Sequence, residues 1–114
     1  MEVYNLCEPD FRPVGGKFIV LRTLYGQAKT LVLFSQDPWH RDIAVRWQQR
    51  TGVLLHDAGL RVTGGGRWRL EEDGEQLRLY GESSAYGGFD ASALQADWPT
   101  NGPVFNERRI VFGE

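Results

Sequence analysis

The chain carries two histidines, His40 and His56, and their positions set them apart. Both lie in the stretch SQDPWHRDIAVRWQQRTGVLLHDAGL, where Ile43, Trp47, Leu54 and Ala58 recur on one helical stripe with Ala44 and Thr51 beside it. At about 100° per residue, His40 falls about 60° from the Ile43 direction, on the inward side, whereas His56 falls on the opposite, solvated face. His40 also lies in the predicted first helical turn, where unpaired backbone N–H groups and the positive end of the helix dipole gather. Such a place favours a bound anion and disfavours an imidazolium. A neutral histidine there can accept a proton or attack an electrophile. The plainer role of the same residue is packing at a helix start.

Other chemistries have less to work with. A metal centre would need more histidines or cysteines than DPWHRD supplies, since Asp37, His40 and Asp42 leave the coordination incomplete. Asp37 reads instead as the helix N-cap, with Pro38 at the first helical position and Gly59 at the C-terminal stop. Gly52 costs about 1 kcal/mol against alanine inside a helix and marks a place where it can break. Ser83 and Ser84 lack the strand–turn–helix context of a hydrolase nucleophile elbow. GGGR (64–67) lacks the lysine and hydroxyl residue of a P-loop, and alone reads as a turn or bulge. Lys17 alone reads as a solvated charge at a strand edge. The run YGESSAYGG (80–88) holds more small residues than a turn needs. Backbone kept that bare lies against another segment or a ligand. Tyr86 within it is read as a packing residue.

The elements that must position these residues follow an α+β order. GKFIVLRTLY (16–25) and KTLVLF (29–34) read as two strands joined by a short GQA hairpin. After the helix, RVTGGGRWRLEEDGEQLRLYGES reads as a hairpin closed around Asp73-Gly74. Trp68 and Leu70 share one of its faces; Arg67, Arg69 and Glu71 share the other. Asp90 is placed to cap a second helix, Ala91 to Asp97, and VFNERRIVF supplies a last strand.

The chain as a whole, 114 residues, has room for one domain spanning 1–114. A net charge of -2 gives no field for nucleic acid or an anionic membrane surface. No stretch approaches a membrane span, and MEVYNLCEPD lacks the pattern of a signal peptide, so a cytoplasmic protein is expected. The single cysteine, Cys7, excludes an internal disulfide.

Taken in order, these pieces form a pattern. A lysine opens the strand GKFIVLR, then come WHRDI, GGGR and a strand running into YGESSAYG. The combination resembles the small phosphohistidine phosphatase family, which includes the Janus proteins, from about Lys17 to Trp98-Pro99. That resemblance implies a mixed β-sheet flanked by two helices. It implies that His40 is catalytic, as general base or nucleophile, and that Lys17 and Arg67 meet the substrate. It places Ser83, Ser84 and Ala85 in the phosphate-binding loop, facing the helix start at Trp39, Arg41 and Asp42. The implied activity is metal-independent and cofactor-free hydrolysis of P–N bonds in phosphohistidine, phospholysine or phosphoramidates. The expected partner is a phosphohistidine-containing protein or a small phosphoramidate, met by a monomer. Two departures bear on this expectation. Trp39 stands where relatives often have tyrosine, and TLVLFSQDP lacks the arginine some carry before the helix. The rival expectation is a phosphate- or phospho-ligand-binding regulatory module on the same fold, without turnover.

Overall fold

The computed structural model describes residues 1–7, 14–25, 29–98 and 109–113. Two apolar strands, β2 (Gly15–Thr23) and β3 (Thr30–Ser35), lie at the centre of the sheet, with every residue from Phe18 to Leu21 and from Leu31 to Phe34 buried. They pair antiparallel, as a hairpin requires, although the GQA connection itself lies outside the described residues. Around them the chain adds β1 (Glu2–Asn5), β4 (Leu60–Glu71), β5 (Gln76–Tyr80) and β6 (Arg109–Phe112). The order is β1-β3-β2-β4-β5-β6. The two outer pairs, β1 with β3 and β5 with β6, are parallel, and the inner pairs are antiparallel. The fold is α+β with a mixed sheet.

Because side chains alternate along a strand, the central strands bury both faces, and each face takes one helix. Helix α1 (His40–Thr51) lays Ile43, Ala44 and Trp47 over Ile19, Leu21, Leu31 and Leu33. Helix α2 (Ala91–Asp97) lays Leu94 over the other face, among Phe18, Val20, Val32, Phe34 and Trp68. Asp90 caps α2 as read from the sequence, its Oδ1 accepting the Ala93 N–H at 3.0 Å. No described helix is long and apolar enough to cross a membrane.

Three local expectations are corrected. The predicted helix does not run to Gly59. It ends at Gly52, whose φ of 73° is a left-handed cap conformation that returns its N–H to the Gln48 carbonyl. Leu54 and Ala58 therefore lie in a turn and are exposed, while Leu55 packs under the helix. Asp37 is not the N-cap; Trp39 holds that position without a side-chain bond. Of the turn or bulge read at GGGR, Gly64–Gly66 form no turn, and a bulge lies immediately before them. They run inside β4 against Val20, Ile19 and Phe18, and the irregularity sits beside them, where Thr63 is an extra residue between the Leu21–Val62 and Val20–Gly64 pairs. That bulge brings Val62 and Gly65 onto the α1 face although their numbers differ in parity.

Candidate active site at the start of the first helix

His40 is the first residue of α1 and is 5% exposed. The segment that delivers it is fastened at both ends. Ser35, at the end of β3, donates its hydroxyl to Asp37 and accepts the Asp37 N–H at 3.0 Å. Arg46, in the body of α1, grips the Asp37 carboxylate with Nε and Nη2, each at 2.8 Å. This two-pronged pairing, with burial opposing it, holds the Asp37 carboxyl below its usual range. Asp37 thus ties the strand end to the helix.

The imidazole of His40 reaches across to β4, with Nε2 at 2.8 Å from the Gly66 carbonyl. A carbonyl oxygen only accepts, so Nε2 carries the hydrogen and Nδ1 keeps its lone pair. Every side-chain polar atom buried among the described residues has a partner, and Nδ1 makes no such bond, so it opens to the surface. The ring is kept neutral chiefly by burial. The Gly66 bond opposes this, and the nearby charges of Lys17 and Arg67 push the pKa further down.

Gly65 makes the approach possible. A Cβ there would lie 2.6 Å from the Phe18 carbonyl oxygen, 3.2 Å from His40 Cδ2 and 3.4 Å from Ser83 Cβ. The glycine run read from the sequence as a weak signal is therefore the bare floor on which His40 and the 83–87 loop meet.

Two cations stand at the rim. Lys17 and Arg67 are direct cross-strand partners on β2 and β4, in an arrangement that disfavours like charges. Lys17 Nζ lies 5.4 Å from the centre of the exposed Trp39 ring, a cation–π contact. Neither cation has a carboxylate partner among the described residues. A bound anion would relieve the pair.

The loop after β5 is folded by its own serine. Ser83 exchanges two backbone bonds with Gly87, at 3.0 and 2.8 Å, and Gly87 also accepts from the Gly65 N–H at 3.1 Å. Ser83, 2% exposed, accepts with its hydroxyl the N–H groups of Ala85 and Tyr86 at 3.2 and 3.1 Å. Two of the amides expected to face a ligand, those of Ser83 and Ala85, are thus engaged within the loop. Ser84 N–H has no acceptor among the described residues, and Ser84 is exposed. Tyr86 packs against the α1-side core.

Of the residues read from the sequence, Lys17, Trp39, His40, Arg67 and Ser83 come together. Arg41 is exposed and Asp42 half-buried in the first turn; Asp42 donates its backbone N–H to the Trp39 carbonyl at 3.1 Å, and among the described residues neither side chain forms a hydrogen bond or ion pair with that group. His56 is exposed. No three His, Cys, Asp or Glu side chains among the described residues lie close enough to hold a metal ion. The residues missed from the sequence are Gly66, whose carbonyl orients His40, and the Ser35–Asp37–Arg46 clamp. A carbonyl leaves no mark in a sequence, and Asp37 and Arg46 are nine positions apart, a spacing with no local signature.

No curated protein matches the chain at a significant level. Residues 15–98, which take in every member of the His40 group, match the model of the Janus/Ocnus family. The chain belongs to the Janus/Ocnus family.

Proposed function

We propose that this protein is a metal-independent phosphatase that cleaves P–N bonds, in phosphohistidine or a related phospholysine or phosphoramidate, with His40 as the reacting group. The observation that carries the reading is the tautomer. A buried, neutral imidazole with Nε2–H committed to Gly66 presents its Nδ1 lone pair beside two unneutralised cations.

A phosphoramidate whose leaving nitrogen is already protonated asks little of the protein beyond positioning, charge stabilisation and a nucleophile. As nucleophile, Nδ1 forms a bond to phosphorus while the substrate P–N bond breaks and the nitrogen departs with its proton. Water then attacks the phosphorus, and the Nδ1–P bond breaks to return the lone pair. As general base, Nδ1 takes a proton from water as that oxygen attacks, and the proton passes to the leaving nitrogen. In both routes the Gly66 carbonyl stabilises the imidazolium that forms. Lys17 and Arg67 offset the phosphoryl charge, and Ser84 N–H and the Ser83 hydroxyl hydrogen remain as donors. The natural setting of this reading is the cytoplasm, with the protein acting as a monomer on a phosphohistidine-containing protein or small phosphoramidate.

The test is turnover of phosphohistidine and phosphoramidate by the purified protein, with and without chelator, beside a phosphate titration followed by amide shifts. Turnover that survives chelator, with shifts at residues 39–42 and 83–85, is the expected result. Phosphate binding without turnover of either substrate would replace the enzyme with a phospho-ligand-binding module.

A further inference from the structure

On the opposite face of the sheet, away from His40, lies a cavity of about 410 Å³. That volume is within the roughly 300–1,000 Å³ of small-molecule sites. Its charged lining is segregated. The sheet wall carries Arg22 on β2 and Arg61 on β4, direct cross-strand partners and both exposed. The helix wall carries Asp90, the cap of α2, and Asp97, its last residue. None of the four forms an ion pair within 4.0 Å among the described residues. Between the walls lie the apolar Val20, Leu94 and Phe89 together with the hydroxyl residues Thr30 and Thr63.

We propose that this cavity binds a small zwitterion with an apolar body, of the class of a free apolar α-amino acid. A carboxylate placed between Arg22 and Arg61 relieves their mutual repulsion and accepts the directed bonds a guanidinium makes best. An ammonium group at the other wall pairs with Asp97, while Asp90, about 10 Å away at the start of α2, adds its negative charge from the far end, only its Oδ1 being occupied by the Ala93 N–H. The apolar body covers Leu94 and Phe89. A plain anion would leave both aspartates facing it, and a plain cation both arginines; a ligand of both signs satisfies both walls. The site is independent of the chemistry proposed at His40.

L-phenylalanine is the probe, with 3-phenylpropanoate lacking the ammonium and 2-phenylethylamine lacking the carboxylate. Calorimetry and amide shifts on the full chain should give saturable binding of L-phenylalanine, with shifts at Gly88, Phe89, Ala93 and Leu94. Each analogue should bind at least about tenfold more weakly, as should Arg22→Gln and Asp97→Asn, since each loses a charged hydrogen-bonding contact. Arg61→Gln serves as a second arginine variant, and thermal melts check each fold. No saturable binding, analogues that bind as well as the amino acid, or shifts mapping to the His40 side would each overturn the assignment.

Discussion

Replacing Gly65 with alanine places a methyl group under the candidate site. The new Cβ would sit 2.6 Å from the Phe18 carbonyl oxygen, closer than real Cβ contacts come, and 3.2 and 3.4 Å from His40 and Ser83. The first neighbour is backbone of a central strand and cannot swing aside. The other two can move only by loosening the His40–Gly66 bond or the loop that Ser83 folds. Forcing one methyl into such packing costs about 1–3 kcal/mol. At about 4–8 °C per kcal/mol for a domain near this size, Gly65→Ala should lower Tm by between about 4 and about 24 °C. Gly88→Ala is the control. Its Cβ meets only Glu82 Cβ, at an ordinary 3.8 Å, and its effect should stay within about 0.5 kcal/mol. Calorimetric melts give the stability, and the His40 ring signals in NMR report whether the imidazole has moved. If Gly65→Ala melts with the parent and leaves those signals unchanged, the close approach of His40 and the loop over Gly65 is wrong.

Two further outcomes follow from the charges. His40 is held below its usual 6.5, chiefly by burial, so the folded protein binds fewer protons than the unfolded chain just under that pH. Its contribution to stability is complete above about 6.5 and is lost as pH falls through the folded value, which urea titrations at stepped pH would show as a decline that His40→Asn abolishes. Asp37 adds its own loss only below its usual 3.8, so the two windows separate. Lys17→Ala and Arg67→Ala should each weaken phosphate binding by about tenfold while leaving Tm unchanged or slightly raised, because each variant ends the repulsion of a cross-strand like-charged pair. Titration and melts on the same samples decide it, and a falling Tm with unchanged binding would refute it.

Strong local signals carried the reading of the fold. The apolar runs of β2 and β3, the Asp90 cap and the Trp68/Leu70 alternation each speak through neighbouring residues, and each was legible in the sequence. Less of the first helix could be read. Gly52 marked its end, but the spacing of Leu54 and Ala58 continued the helical stripe past it, and only packing puts Leu55 inward in their place. Strand β1 escaped notice because four residues beside an edge announce nothing until β3 offers them a parallel partner. In the site, the residue types were visible but the bonds between them were not. The Asp37–Arg46 grip and the Gly66 carbonyl join positions that only the folded chain brings together. The loop's serine was expected to face a ligand, and in the structure it first holds its own loop.

The proposed chemistry stands on His40, and one comparison tests it most directly: initial rates of phosphohistidine hydrolysis for the parent, His40→Asn and His56→Asn. General acid–base groups contribute about 10²–10⁴-fold, and an obligatory nucleophile at least as much. His40→Asn should therefore lose at least about two orders of magnitude in rate, with phosphate binding largely retained, because Lys17, Arg67 and the loop remain. The exposed His56 should be replaceable without effect. A His40→Asn protein that hydrolyses phosphohistidine at the parent's rate would contradict the role given to His40.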